Sequence, residues 1–320
     1  MDPREMERRE TVNLLGFALL LFSGAFLLFS LAMSLLPLCL EGVSERAAQT
    51  LYQLVYGALY ALIFLLPVFF FCKMRSRTAA PAPMYLQPHL QGGMLLYLFA
   101  GLAAIHLAAQ INARVVELMG IATPVTVGPL VEENYGVALQ FMVLAVIPAF
   151  VEELLFRGVV LSNLLPYGKT VAIWGSGVLF GVMHQNFSQL LYATVAGGAL
   201  GYIYVASRSI WPCILLHLCN NGLSVVCGAL SARLPAETAM PVCAVIELLI
   251  LAAGFTCAIP LLLNAVKRRR ALAVSEPTAQ ERPRHGFLRG VAALCAPTMI
   301  AFVVISLAQA VVNVLLNALL

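Results

Sequence analysis

Residues 12–38, VNLLGFALLLFSGAFLLFSLAMSLLPL, run for 27 positions without a charged side chain. A helix needs about 20 apolar residues to cross the hydrocarbon core of a bilayer, so this stretch is long enough to span. Further apolar runs follow at 50–72, 93–112, 137–165, 170–187, 189–206, 209–231, 241–266 and 290–318. They are continuously apolar rather than alternating, which predicts helices and not a barrel. The expected fold is all-α: a polytopic transmembrane bundle of eight or nine spans, with the short pair at 170–206 the least clearly separate.

Composition agrees. Of 320 residues 61% are hydrophobic and only 11% charged, against about 25% charged in a water-soluble chain. The net charge of +4 does not point to nucleic acid, because the basic residues sit in short clusters between apolar runs. With the N-terminus inside and nine spans, sixteen Lys and Arg fall on the inner side and only Arg46, Arg114 and Arg233 on the outer side. That bias fits the positive-inside rule, and the charged leader MDPREMERRE reads as an anchored cytoplasmic start. The expected location is a bacterial plasma membrane, crossed several times. Eight cysteines contain no CxxC pair and read as buried thiols. The Pro-rich basic stretches 73–92 and 267–289 are expected to be mobile cytoplasmic loops. The organisation expected is N-terminal spans over 1–136, a core over 137–231, and C-terminal spans over 232–320 with the basic loop at 267–289.

Charged groups inside a span cost several kcal/mol and mark function. Here they concentrate between residues 148 and 221. In PAFVEELLFRGVV, residues 148–160, Glu153 and Arg157 stand four apart on one helical face, acid before base. Glu152 points about 100° away with no basic partner at helical spacing, so one carboxylate is neutralised locally and the other is left to face a cavity. In FGVMHQN, residues 180–186, Phe180 and His184 are one turn apart, and Gly177 with Gly181 makes a surface for close helix approach. Glu152 lies 16 residues before Gly168 and His184 lies 16 after it. A hairpin about the 166–169 turn would place both about 24 Å up their helices. In HLCNN, residues 217–221, His217 and Asn221 share a face with Asn220 beside them. Straight-helix counting puts His217 only about 12 Å from Arg208, at odds with the first pair. Of the remaining groups, His106 and Gln110 form a polar pair read as helix contact or cavity lining. Glu247 is expected near the outer interface, Cys213 reads as a packed thiol, Gly197 and Gly201 read as helix contact, and His89 and His285 lie in loops.

A carboxylate can take a proton from water when its pKa is tuned, an imidazole can position that water, and both can hold a metal that acidifies it. Asn and a second His can donate to a tetrahedral oxyanion, at about 2.7–4 kcal/mol per donor. This is equipment for hydrolysing an amide bond of a membrane-associated peptide or protein. No HExxH or GxSxG is present, and Ser176 in GSG gives only a weak serine-protease alternative. The competing class is a non-enzymatic membrane protein: a transporter, an immunity factor or a scaffold. The absence of an internal repeat weakens the transporter reading.

EELLFR at 152–157, FGVMH at 180–184 and HLCNN at 217–221 resemble the motifs EExxxR, FxxxH and HxxxN/B of the CPBP family. These are the CAAX-processing and bacteriocin-processing (Abi-type) intramembrane proteases. The resemblance covers residues 137–231; each motif alone is weak, and the three in order on successive spans are fairly specific. It implies that Glu152 and His184 activate water, that His217 and Asn221 stabilise the oxyanion or complete a metal site, and that Glu153, Arg157, Phe180 and Asn220 support them. It further implies either a metal-free glutamate-type protease or a metalloprotease, in which Glu152, His184 and His217 would hold zinc with one position open. A prenylated substrate does not follow, because the family also contains bacterial proteins with other substrates.

Overall fold

Within a bilayer every backbone N–H and C=O must find its partner inside the chain, and the apolar runs meet that demand as helices. The computed structural model describes residues 3–76, 84–88, 93–121, 134–275 and 285–319, and no strand occurs among them. The helices are α1 Pro3–Cys39, α2 Glu45–Arg75, α3 Met94–Leu118, α4 Gly136–Tyr167 and α5 Lys169–Met183, followed by α6 Phe187–Ser207, α7 Trp211–Arg233, α8 Ala236–Ser275, α9 His285–Leu294 and α10 Pro297–Leu319. Eight of them, all except α5 and α9, are long and apolar enough to cross a membrane. The polytopic all-α bundle is therefore observed. α5 has 15 residues, about 22 Å, and so falls short of the roughly 30 Å hydrocarbon core.

α4 carries the most irregular backbone. It opens into π-helical turns at Met142–Val146 and again at Leu154–Leu161, with α-helix between them at Ile147–Glu153. Pro148 explains the first opening. A proline has no N–H and its ring clashes with the carbonyl four residues back, here Leu144, so the turn widens. π-helical turns inside helices recur at functional sites, and these two flank Glu152 and Glu153. α4 then ends in a 3₁₀ turn, Leu165–Tyr167, and reverses at Gly168, whose φ of 112° suits glycine.

α5 and α6 form a hairpin closed by Asn186, whose side chain accepts the Ser188 N–H at 2.8 Å. Their backbones touch at Gly177 and Gly197, where a Cβ on Gly197 would lie 2.7 Å from the Gly177 Cα. The close helix approach expected of these glycines is present.

Several expectations need correction. Residues 84–88, expected in a mobile loop, are docked under the bundle. The Tyr85 ring lies tilted against Tyr204 at 5.4 Å between centres, its carbonyl accepts the Ile210 N–H at 2.8 Å, and Leu86 O accepts from Trp211 Nε1 at 2.9 Å. The reason is the turn between α6 and α7: Ser207, Ser209 and Ile210 are buried, and a buried turn must have its polar groups met. The remainder of that loop, at 77–83 and 89–92 with His89, lies outside the described residues, as do 122–133 and 276–284. The second basic loop starts later than expected because α8 stays helical to Ser275. The expected span at 290–318 is split: α9 ends at Leu294, and α10 begins with Pro297, a residue suited to a helix's first turn. Glu247 sits 11 residues into α8 and not near its start. It accepts from Gln110 Nε2 at 2.6 Å and lies 3.5 Å from His106 Nδ1, pinning α8 to α3.

Gly177→Leu should lower the thermal unfolding temperature in detergent, because even a Cβ there meets Gly198 N at 2.9 Å and Thr194 O at 3.1 Å. Overfilling of this kind costs about 1–3 kcal/mol, so an unchanged unfolding temperature would contradict the hairpin contact.

Candidate active site

The four elements carrying the site are α2, α4, α5 and α7. On α4, Glu153 and Arg157 are completely buried, with Glu153 Oε2 3.1 Å from Arg157 Nε. The pairing expected from the four-residue spacing is present. The guanidinium also donates to Gly197 O on α6 at 3.2 Å and lies 4.6 Å from the centre of the Phe180 ring on α5. A cation over an aromatic face is favourable when desolvated, which gives Phe180 a definite supporting part. The other oxygen of Glu153, Oε1, lies 2.8 Å from His217 Nδ1 on α7. Paired with Arg157, Glu153 acts as an acceptor, so Nδ1 of His217 carries the proton and Nε2 is turned the other way.

Nε2 of His217 faces Glu152, 3.9 Å from Oε2. Glu152 is 2% exposed, and that Oε2 atom has no hydrogen-bond partner. Its Oε1 accepts the Tyr60 hydroxyl of α2 at 2.6 Å. The carboxylate is thus held by one oxygen and open at the other. His184, at the end of α5, places Nδ1 2.8 Å from Phe180 O. A carbonyl only accepts, so this nitrogen carries the proton and His184 Nε2 is left as an acceptor. The rings of His184 and His217 both meet the Phe180 ring edge-on, at 5.1 and 6.0 Å.

Asn221 donates through Nδ2 to Leu144 O at 3.2 Å, and its Oδ1 accepts from Asn220 Nδ2 at 3.1 Å. Leu144 is the carbonyl that Pro148 cannot serve, so the break in α4 gives α7 a docking point. Glu152, His184, His217, Asn220, Asn221 and Phe180 all line one cavity of about 780 Å³. Every residue expected at the site is therefore beside it, with Glu153 and Arg157 directly behind.

Despite the depths expected from straight-helix counting, His217 meets the first pair: its Nε2 is 3.9 Å from Glu152 Oε2 and its ring meets Phe180 beside His184. The turn before α7 is buried over residues 84–88, so α7 starts inside the bundle. Ser176 is buried and donates to Phe156 O at 3.1 Å, and Cys213 donates to Leu200 O at 3.2 Å. Neither lines the cavity, so Ser176 is not placed as a nucleophile there.

Carboxylate and imidazole are donors that zinc accepts. Among the described residues, however, no three His, Cys, Asp or Glu side chains are arranged to hold a metal ion. Tyr60 was missed by sequence reasoning. It lies 92 residues from Glu152 in an ordinary apolar run, and no spacing rule connects the two.

A helical membrane bundle with paired carboxylates and imidazoles buried around one cavity has the parts that hydrolysis within a bilayer requires. Comparison with known proteins agrees. Residues 134–223 match the family described as type II CAAX prenyl endopeptidase Rce1-like. The protein named "Putative membrane peptidase YdiL" of Bacillus subtilis (strain 168) is 30% identical over 94 residues, covering 28% of this chain and 38% of that protein. The chain thus matches well under half the length of that relative. No solved structure matches the chain. The resemblance to the CPBP proteases, read from three motifs, holds for this segment.

Removing Arg157 alone should leave Glu153 buried with its strongest partner gone. Arg157→Met is expected to lose about 3–5 kcal/mol of stability, and Glu153→Gln in the same chain should recover part of that loss. Denaturant unfolding in micelles of the two single variants and the double variant measures the coupling; additive effects would argue against a coupled pair.

Proposed function

We propose that this chain is an intramembrane endopeptidase that hydrolyses a peptide bond of a membrane-associated polypeptide by water activated at Glu152. The observation that carries this reading is the open Oε2 of Glu152, buried, unpartnered and 3.9 Å from His217 Nε2 on a cavity that His184 also lines. A buried polar atom without a partner is costly, and a gap of that size between polar groups suits a bridging water.

In this mechanism Glu152 Oε2 accepts a proton from the water, while Nε2 of His184 accepts the water's other hydrogen and orients it. As the water oxygen adds to the scissile carbonyl, the proton is held on Glu152 and then passed to the departing amine. The developing oxyanion falls between His217 and Asn221. Glu153, 2.8 Å from Nδ1 of His217, holds that ring with Nε2 toward this position, and Asn221 exchanges its Leu144 contact for the oxyanion. Tyr60 keeps Glu152 in one rotamer by holding Oε1. Arg157, Glu153 and Phe180 fix the imidazoles and do not touch substrate. The transporter, immunity-factor and scaffold readings are not favoured, because a transport path or a docking role gives no reason for adjacent buried glutamates of which one is paired with Arg157 and the other opens onto the cavity.

Glu152→Gln keeps the shape and removes the base. Quantitative mapping of new peptide termini in membranes expressing the wild type or this variant should show a set lost by about 100-fold or more. Identical termini in the two membranes would end the protease reading. Tyr60→Phe should lower kcat by about one to two powers of ten with KM little changed, the value of a hydrogen bond to a charged group.

A further inference from the structure

The cavity has a direction. Its lining includes Ser30 of α1, Ile121 just beyond α3, Gln140 near the start of α4, Gln189 near the start of α6, Gly228 near the end of α7 and Leu316 near the end of α10. With helices alternating up and down, all of these lie toward the end of the bundle opposite the start of α1. Among the described residues, no lining residue comes from the other end. There the chain is tied shut: Arg75 pairs with Glu7 at 2.8 Å, Tyr167 donates to Arg8 O at 2.8 Å, and residues 84–88 cover the α6–α7 turn. The shortness of α5 contributes, because the tip of its hairpin, with His184, stops inside the bundle and leaves space above it.

By chain order the connections and helix ends on the closed side hold most of the basic residues of the sequence. Arg157, one of the sixteen counted on the inner side, is buried at the site and drops out of the tally. Fifteen Lys and Arg then remain on the closed side against three on the open side, because sixteen less one is fifteen. By the positive-inside rule the closed end is cytoplasmic. We infer that substrate reaches Glu152 from the extracytoplasmic face, so the substrate class is an exported peptide or the outward-facing segment of a membrane protein, and not a cytoplasmic tail. The substrate class rests on the protease reading; the direction of the cavity does not.

Two native cysteines make the test direct. Cys39 is exposed at the open-end terminus of α1, and Cys295 is exposed between α9 and α10 at the closed end. Ser224 lines the cavity with an exposed side chain. Full-length chain in right-side-out cells and in inverted vesicles would be treated with a membrane-impermeant maleimide and mapped by mass spectrometry. The expected result is labelling of Cys39 and of a Ser224→Cys variant in intact cells, with Cys295 labelled only in inverted vesicles. Ser30→Cys serves the same purpose should Ser224→Cys fail to assemble. A cavity cysteine that follows Cys295, that reacts from neither side, or that follows a Cys39 labelled only in inverted vesicles overturns the inference. Unchanged termini with Glu152→Gln would remove the protease reading while leaving this labelling pattern intact. Reversed labelling with Glu152-dependent cleavage would remove only the direction.

Discussion

A fully buried guanidinium at position 157 constrains everything around it. Moving one charge of this kind out of water costs several kcal/mol after relaxation, so the surrounding helices must supply compensation. They do so from three sides: the Glu153 carboxylate on the same helix, the Gly197 carbonyl on α6 and the Phe180 ring on α5. Glu153 then passes the constraint to α7 through His217 Nδ1. One cation therefore fixes four helices and the orientation of an imidazole, which is more than shape-matched apolar contact alone would specify. Gly177 and Gly197 belong to the same arrangement, since only a close α5–α6 approach leaves the Gly197 carbonyl and the Phe180 ring on the same cation.

Two adjacent glutamates are thereby given opposite environments. Glu153 has a cation and an imidazole and is spent on structure. Glu152, one position back, is rotated away from Arg157; it meets a phenol at one oxygen and, at the other, the cavity and His217 Nε2 at 3.9 Å. Adjacent residues on a helix differ by about 100°, so this separation follows from spacing alone. It is legible in the residues EELLFR themselves, as are both histidines and Asn221 in their own motifs.

Other parts are not legible there, and for identifiable reasons. Tyr60 looks like any amphipathic aromatic in a span until α2 is set against α4. The docking of Asn221 on Leu144 O requires knowing that Pro148 widens α4 rather than merely bending it, and periodicity does not reveal π-helical turns. Glu247 would sit near the interface if its helix began at 241, whereas α8 begins at Ala236 and sets the carboxylate against Gln110 and His106. The segment at 84–88 is Pro-flanked and reads as a linker, yet Tyr85, Leu86 and Trp211 close a polar turn that would otherwise be buried without partners.

Hydrolysis inside a bilayer sets two conflicting demands: water must arrive, and charged groups must not be left in lipid. The chain separates them in space. Arg157 and Glu153 pair behind the site, where neither has any exposure, and the open Oε2 of Glu152 is placed in front, on the cavity. The amides of Asn186, Gln189, Asn220 and Asn221 line the same cavity, so water there meets several partners, as an ordered water requires. Phe22, Phe26 and Phe64 line it too and add apolar surface that does not compete for hydrogen bonds. A transport path would need polar groups continuing to the other face, and the docked strap with its capped turn blocks that continuation. The site is a dead end for a solute, with the buried carboxylate of Glu152 opening onto it.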